Sequence, residues 1–312
     1  MDIVIAFNEE FVMPAGVMLC SLFENNKAED IHIHALLSHN ATFIQPIYDI
    51  VNQYGAQLHC YDMSLFDLPP LPLNLPNQRA NISIESYYRL FASKILPMTL
   101  DRVLYLDCDI IIADSLKPLW DEDISGFAVG AIPDFENDNV KISNRLGYDV
   151  RFGYFNSGVL LINLKYWREH NVLNNFLDYI NDHFNELAFH DQDILNHEFY
   201  QRKKELSIRY NFQTNFLYKN RFRNISCKYF DLIDEAYKNP CVIHYTEDKP
   251  WFSDTTNPMC SYFDKYQNMT IWKGHTKKQR KVGVKSKFRR IISLIKGKPK
   301  SEILYNCLYL KN

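Results

Sequence analysis

Two aspartates, Asp107 and Asp109, lie one residue apart at the end of an apolar run that starts at Val103. In an extended chain alternate side chains share a face, so both carboxylates would point the same way and Cys108 the other way. Two like charges on one face repel unless a cation lies between them, and hard carboxylate oxygens suit Mg²⁺ and Mn²⁺. The pair therefore predicts a divalent metal site, and a polar turn after a buried strand is the alternative.

His244 and Lys249 are candidates for the same site. His244 lies in the short apolar stretch 241–245, and an imidazole is a plausible third ligand beside two carboxylates. Such a set leaves about three positions of an octahedral ion open, which suits a metal that also holds a diphosphate. Lys249 could add a point charge to those phosphates. The alternatives are a core or surface histidine and a solvated loop lysine.

Three further motifs carry polar groups that could bind a ligand. Asp191 and Gln192 begin a predicted helix and point about 100° apart, so at least one of them can face a cleft. Asn156 precedes an apolar strand, and Arg89 lies on a predicted helix from which it could reach the aspartate pair. Helix capping, strand initiation and a surface ion pair are the respective alternatives.

The first half of the chain alternates between strand and helix patterns, and the second half is more mixed. The alternation predicts an α/β fold whose largely parallel sheet is covered by helices. Ligands in such sheets bind beyond the carboxyl ends of the strands, so Asn8 and the aspartate pair are expected to face one crevice. The predicted strands are 2–7, 31–37, 57–62, 102–107, 126–132, 158–164 and 241–245, and the predicted helices are 14–26, 41–54, 84–96, 165–188 and one from 191.

The composition indicates a globular protein. The 312 residues are 46% hydrophobic and 14% aromatic, which is ample for a sizeable core. The seven cysteines are scattered without a Cys-x-x-Cys pair, which favours a reducing, cytoplasmic setting over a disulfide framework. No signal peptide or transmembrane helix is expected, because the early apolar stretch is short and contains Pro14.

Charge is distributed unevenly along the chain. Residues 273–300 hold 12 of the 35 Lys and Arg residues and none of the 37 Asp and Glu residues, so the remainder carries 23 basic against 37 acidic groups. Apolar residues from Val284 to Ile295 recur at helical spacing among these basic residues, and a second short helix is predicted over 301–310. The tail is therefore expected to be a basic amphipathic helix on an anionic membrane surface; a solvated helix packed on the domain is the alternative. Nucleic acid is not expected as a partner, because aromatic residues do not interleave the charges.

Five ordered motifs resemble those of glycosyltransferase family 8. This family comprises retaining sugar-nucleotide transferases, including galactosyl- and glucosyltransferases of the lipopolysaccharide and lipooligosaccharide outer core. The similarity spans roughly residues 2 to 265. The motifs are Asn81-Ile-Ser-Ile-Glu-Ser-Tyr-Tyr-Arg-Leu90, Leu104-Tyr-Leu-Asp-Cys-Asp109, Phe155-Asn-Ser-Gly-Val-Leu-Leu-Ile-Asn-Leu164, His190-Asp-Gln-Asp-Ile-Leu-Asn196 and His244-Tyr-Thr-Glu-Asp-Lys-Pro-Trp251.

The resemblance implies a GT-A fold, a Rossmann-like mixed sheet flanked by helices, over residues 1–265, with 266–312 as a basic amphipathic membrane-association region. It implies a UDP-hexose donor and a metal, Mn²⁺ or alternatively Mg²⁺, on Asp107, Asp109 and His244. By the same motif matching, the nucleotide is held by Ala6, Phe7, Asn8, Phe11, Ile82, Asp107, Cys108 and Asp109, the diphosphate by Lys249, and the donor sugar at the catalytic centre by Arg89, Asp134, Asn156, Asp191 and Gln192.

The sequence departs from the family pattern in the nucleotide and phosphate loops. Asn8 replaces an acidic residue often seen there, and Phe11 stands where a tyrosine is common. The loop between His244 and Lys249 is short and contains Glu247 and Asp248, and carboxylates beside a diphosphate cost free energy unless they turn to solvent.

The sequence thus predicts a cytoplasmic hexosyltransferase, peripheral on the inner face of the membrane, that acts on a lipid-linked saccharide. Two alternatives are a UDP-sugar-binding or membrane-scaffold protein without transfer activity and an Asp-x-Asp phosphohydrolase with Asp107 as nucleophile. The phosphohydrolase is disfavoured, because it needs a hydroxyl soon after the second aspartate, where Ile110 to Ile112 are apolar.

Overall fold

A seven-stranded mixed sheet forms the centre of the molecule in the computed structural model, which describes residues 1–38, 42–73, 83–218 and 224–279. The strands of this sheet, in chain order, are β1 (Asp2–Ala6), β2 (His32–Leu37), β3 (Gln57–Asp62), β4 (Arg102–Leu106), β6 (Val129–Pro133), β7 (Phe155–Asn163) and β8 (Lys203–Glu205). Their spatial order is β3-β2-β1-β4-β7-β6-β8. A smaller sheet contains β5 (Ile110–Ile112), β9 (Phe212–Gln213) and β10 (Val242–His244), with β10 in the middle.

Helices cover both faces of the large sheet, so its central strands are buried on both sides, whereas the edge strands β3 and β8 are partly exposed. Two hydrophobic clusters pack on the two faces; one includes Val17 and Ile33, and the other includes Phe91 and Trp167. The α-helices are α1 (Val12–Asn25), α2 (Gln45–Gln53), α3 (Ala92–Ile95), α4 (Lys117–Trp120), α5 (Val140–Arg145), α6 (Leu164–Glu169), α7 (Val172–His183), α8 (Asp191–Phe199), α9 (Phe230–Lys238) and α10 (Cys260–Gln267).

The sheet is less parallel than the strand and helix alternation predicts. Strands β1 to β4 pair in parallel, but β7 runs antiparallel to both β4 and β6. The amino-terminal end of β7 therefore lies at the edge where β1 and β4 end. That reversal places Asn156 and Gly158 beside the residues that follow β4.

Several predicted elements differ in extent from the observed ones. The predicted helix 165–188 is two helices, because Asn171 adopts a left-handed conformation with φ 50° between α6 and α7. The predicted helix 84–96 is a 3₁₀ helix, Ile84–Phe91, that continues into the short α3. The short strands β5, β8 and β9 were not predicted, because two or three residues carry too little periodicity to be recognised.

The described chain continues past the predicted domain boundary at residue 265. Helix α10 spans that position, and Trp272 packs against Gly16 of α1. The backbone of Lys278 bridges to Phe252. Within the described residues, the stretch after residue 265 therefore contacts α1 and the segment around Phe252. The predicted tail helices lie outside the described residues. Within the described ranges no helix has both the length and the apolar character required to cross a membrane.

Candidate active site

The aspartate pair lies in a turn between the two sheets and not in a continuing strand. Strand β4 ends at Leu106 and β5 begins at Ile110, so the predicted extended conformation of Asp107 to Asp109 is wrong. The backbone N–H of Asp107 donates to the carbonyl of Gly158 at 2.8 Å, which anchors the start of this turn to β7. The two carboxylates nevertheless converge, because the turn bends around the end of the sheet.

His244 completes a three-residue cluster with the two aspartates. It ends β10, which pairs with β5 so that His244 lies opposite Ile110. Its Nε2 lies 3.2 Å from Asp109 Oδ1 and 3.8 Å from Asp107 Oδ2, and one ligand atom from each residue lies within 4.8 Å of the other two. Two carboxylate oxygens and an imidazole nitrogen are a donor set that fits a divalent cation.

A chain of hydrogen bonds fixes the orientation of the His244 ring. The backbone N–H of Gly158 donates to Asn156 Oδ1 at 2.9 Å, and Asn211 Nδ2 donates to the same oxygen at 2.8 Å. Asn211 Oδ1 therefore faces His244 Nδ1, at 2.9 Å, and accepts its hydrogen. This leaves the lone pair of Nε2 directed at the carboxylates, as a metal ligand requires. Asn211 is fully buried and lies 33 positions before His244, so no sequence motif could have identified it.

Gly158 is required by the close approach of β7 to the cluster. A Cβ added there would lie 2.4 Å from His244 Cε1 and 2.7 Å from Asp107 Oδ2. Gly130 on β6 provides a matched comparison. The atom nearest to a Cβ added there would be Cδ1 of Leu206, at 2.9 Å, which is the far end of a flexible side chain.

We expect Gly158→Ala to lower the affinity for Mn²⁺ roughly 10- to 100-fold, because two ligands must move apart to admit the methyl group. Titration calorimetry of the metal measures this directly. Gly130→Ala adds the same methyl group to the same sheet and should leave the metal affinity unchanged. Equal Mn²⁺ affinities for both variants would contradict the proposed crowding at Gly158.

Arg89 lies behind the cluster and joins it to α8. Its guanidinium donates to Asp107 Oδ1 at 2.8 Å, lies 3.2 Å from Asp191 Oδ2 and also donates to the carbonyl of Ser157. It stacks on the Tyr105 ring at 4.1 Å. Its side chain is only 4% exposed, so it serves as the buried counter-charge to two carboxylates and not as a surface partner.

Lys249 pairs with Asp109, and its side chain is 24% exposed. Its Nζ donates to Asp109 Oδ2 and to the carbonyl of Tyr245. Burial raises the pKa of the Asp109 carboxyl, but the charge of Lys249 and the contact with His244 outweigh burial and hold that pKa well below its usual range. Asp248 points away from the cluster, because its Oδ2 accepts from the backbone N–H of Thr256 at 2.6 Å.

Asp134, Asn156 and Gln192 form a second polar group next to the cluster. Asp134 Oδ2 accepts from Asn156 at 3.0 Å and lies 3.4 Å from Gln192 Nε2, while Gln192 Oε1 accepts from the backbone N–H of Ser157 at 3.0 Å. Burial raises the pKa of Asp134 to about 6 against the opposing effect of its hydrogen bonds. Burial likewise raises the pKa of Asp191 to about 6, with Arg89 opposing the shift.

The raised pKa of Asp134 predicts a pH-dependent stability. Folding favours the protonated Asp134 carboxyl, so proton binding to Asp134 stabilises the folded state. This stabilisation is complete below pH 3.8 and is lost as the pH rises through about 6. Relative to Asp134→Asn, the wild-type free energy of unfolding should fall by on the order of 3 kcal/mol from pH 3.8 to pH 7. Urea unfolding of both proteins across this range measures the difference, and parallel pH profiles would contradict it.

A cavity of about 360 Å³ opens in front of the cluster. Asn8, Phe11 and Glu85 line it on the side of β1, and Asp191 and Gln192 line it on the side of β7, because β4 lies between these two strands. Ten of the predicted site residues line it: Ala6, Phe7, Asn8, Phe11, Arg89, Asp107, Cys108, Asp109, Asp191 and Gln192.

The other predicted residues lie around the cavity or outside the described chain. Asp134 and Asn156 support Gln192 from behind, and His244 and Lys249 flank Asp109. Ile82 lies outside the described residues. Two buried groups outside the predicted site residues also shape the cavity: Glu85 lines it, and Asp193 accepts the backbone N–H groups of Ala188 and Phe189 at 2.8 Å, which fixes part of its wall.

The fold and the site together define an α/β protein with three residues that could hold a divalent metal, beside a ligand cavity at the carboxyl edge of its sheet. Residues 2–255 match the model of glycosyl transferase family 8, and the chain belongs to this family. The predicted family and its transferase class are thereby confirmed, and the phosphohydrolase interpretation loses its support.

Individual relatives agree with this assignment. The chain is 28% identical to a lipopolysaccharide 1,2-glucosyltransferase of Escherichia coli over 293 residues, which cover 91% of this chain and 84% of the relative. It is 30% identical to general stress protein A of Bacillus subtilis strain 168 over 202 residues, 62% of this chain and 68% of the relative. The crystal structure of the galactosyltransferase LgtC in complex with donor and acceptor sugar analogs superposes with a TM-score of 0.71 and 27% identity, covering 87% of this chain and 96% of LgtC. The last similarity confirms the predicted GT-A fold.

Proposed function

We propose that the protein is a retaining, Mn²⁺-dependent hexosyltransferase that moves galactose or glucose from a UDP-sugar to a lipid-linked saccharide, such as the outer core of lipopolysaccharide. The observation that carries this proposal is the convergence of Asp107, Asp109 and His244 at the edge of the cavity. The names of the glucosyltransferase relative and of the galactosyltransferase neighbour support a hexose donor and a saccharide acceptor.

Asp107, Asp109 and His244 would hold the metal, with His244 oriented by Asn211. When bound, the metal neutralises charge on the departing diphosphate and acts as a Lewis acid. Lys249 lies beside Asp109. A change in the rotamer of Lys249 can bring its ammonium group from Asp109 to a phosphate oxygen. The positive groups of the site are thus arranged where the leaving group gains negative charge.

The donor sugar is assigned to the end of the cavity next to Asp191 and Gln192. Asp191 and Asp107 are both held by Arg89, so their carboxylates have fixed positions from which they can accept sugar hydroxyl hydrogens. Asp134 and Asn156 hold Gln192 in the same way. As the glycosidic bond lengthens, positive charge develops at the anomeric carbon, and the nearby carboxylates stabilise it. Retention of configuration follows from the family assignment.

The nucleoside is assigned to the opposite end, where Phe11 and Asn8 line the cavity. An aromatic ring offers a stacking surface, and an amide can pair with a base edge. Phe11 is supported by edge contact with Trp251, at 5.9 Å between ring centroids. Phe7, Ala6 and Cys108 complete this end, with the Cys108 thiol 3.7 Å from the carbonyl oxygen of Ala6.

The basic segment 273–300 is proposed to hold the enzyme on the anionic cytoplasmic face of the cell membrane, where a lipid-linked acceptor would be found. Each Lys or Arg near such a surface contributes on the order of 1 kcal/mol. Lys273, Lys277 and Lys278 belong to the described part of this segment, and the remainder lies outside it.

A panel of donors tests the proposed reaction. Purified protein with Mn²⁺ should release UDP from UDP-galactose or UDP-glucose, slowly by hydrolysis and faster with a saccharide acceptor, and chelation of the metal should stop both. GDP-, CDP- and TDP-sugars provide the comparison. Turnover of none of the uridine donors, or turnover unaffected by chelation, would overturn the proposal.

A further inference from the structure

Glu85 is a buried carboxylate that the proposed mechanism does not use. It is 5% exposed and lines the nucleoside end of the cavity. Two donors reach it from the described residues: Asn8 Nδ2 at 3.3 Å and the hydroxyl of Ser38. Both donors are neutral. Because a buried charge is costly unless it is well hydrogen-bonded, a carboxylate at this position calls for a role that a neutral residue would not fill.

The contact with Glu85 determines which way the Asn8 amide points. An ionised carboxylate only accepts hydrogen bonds, so only the NH₂ group of Asn8 can face it. At the other side of the amide, Asn8 Oδ1 accepts from the backbone N–H of Glu10 at 3.1 Å. Both contacts favour the same orientation. One hydrogen on Nδ2 and one lone pair on Oδ1 remain for a ligand.

The fixed amide discriminates between pyrimidine bases. Uracil presents an N3–H donor flanked by carbonyl acceptors, which matches an amide that offers its oxygen to N3–H and its NH₂ to a carbonyl. Cytosine presents an N3 acceptor beside an amino donor, and this pattern requires the amide to turn over. A freely rotating asparagine serves both bases equally, whereas one held by a carboxylate does not.

We propose that Glu85 is a positioning residue that sets the base specificity of the donor site, by holding Asn8 in the orientation that pairs with uracil. This inference rests on the proposed function, which places a uridine nucleotide in the cavity.

Titration calorimetry of UDP and CDP in the presence of Mn²⁺ tests the inference, with the ratio of the two dissociation constants as the readout. Wild-type protein should prefer UDP. Glu85→Gln keeps the shape of the side chain but can donate as well as accept, so only the backbone N–H of Glu10 still favours one orientation of the Asn8 amide, and the preference should fall roughly 10-fold or more.

Glu136→Gln is the matched control. Glu136 is also 5% exposed, and its Oε2 accepts from the amides of Asn139 and Asn224, each at 2.6 Å. It does not line the cavity, so its substitution should leave the UDP to CDP ratio at the wild-type value.

A double substitution separates positioning from general loss of structure. In an Asn8→Leu background the amide is absent, so adding Glu85→Gln should not change the ratio further. A Glu85→Gln protein that keeps the full preference for UDP overturns the inference and leaves the proposed function standing. If Glu85→Gln changes the ratio equally in the wild-type and Asn8→Leu backgrounds, the inference is likewise overturned and the proposed function still stands. Wild-type protein that binds no uridine nucleotide with Mn²⁺ overturns both.

Discussion

Asp109→Asn is expected to lower kcat/KM for transfer from a UDP-hexose by at least about 10²- to 10³-fold, with the protein still folded. The substitution preserves the size of the side chain but replaces an anionic ligand by a neutral amide. Asp109 Oδ1 is the carboxylate oxygen nearest to His244 Nε2, at 3.2 Å, so its charge is central to the cluster. Steady-state UDP release measures the loss of kcat/KM, and the electron paramagnetic resonance signal of bound Mn²⁺ measures the accompanying loss of metal binding.

Asp121→Asn is the control for this experiment. Asp121 is 53% exposed and pairs with Lys117 on the surface of the molecule, so the same chemical change there should affect neither rate nor metal binding. Asp109→Asn protein with the wild-type rate and Mn²⁺ signal would show that the cluster is not the metal site.

Arg89→Met is expected to lower the free energy of unfolding by about 3–5 kcal/mol at neutral pH, because it leaves the buried Asp191 carboxylate without its counter-charge. The side chain of Asp191 is only 4% exposed, so water cannot replace the guanidinium. The part of the loss due to Asp191 should shrink as the pH falls towards about 6 and be absent below it, because Asp191 is then protonated in the wild-type protein as well and needs no counter-charge. Urea unfolding at pH 7.5 and at pH 5 measures both the size and the direction of this effect.

Two comparisons accompany Arg89→Met. Arg89→Lys keeps the charge but not the planar fork that reaches Asp107, Asp191 and Ser157, so an intermediate loss of stability is expected. Arg209→Met removes an arginine that pairs with Asp114 at the surface and should cost less than about 1 kcal/mol. Equal losses for Arg89→Met and Arg209→Met would contradict the assigned role of Arg89.

The candidate ligands could be predicted from the sequence because short motifs place them at strand ends. Asp107 and Asp109 follow β4, Asn8 follows β1 and His244 ends β10. His244 ends a strand of the small sheet and was grouped with the aspartates by its ligand chemistry and its motif. The residues that follow β1 and β4 in an α/β fold, by contrast, meet at one edge of the large sheet whatever the details of the intervening chain. That general rule gave the correct grouping although the local conformation of Asp107 to Asp109 was predicted incorrectly.

The supporting residues could not be predicted, because their roles depend on contacts between distant segments. Asn211 orients His244 only because β9 pairs with β10. Glu85 reaches Asn8 across 77 positions, and Arg145 pairs with Asp193 across 48. The antiparallel direction of β7, which makes a glycine necessary at position 158, also follows from sheet pairing and not from the pattern of β7 itself.

Anomalous diffraction from crystals grown with Mn²⁺ and UDP tests the central proposal most directly. We expect one strong manganese peak within coordination distance of Asp107, Asp109 and His244, with the diphosphate on its open side and the uracil next to Asn8. A manganese peak elsewhere, or UDP bound in the cavity without a metal at these three residues, would contradict the proposed active site.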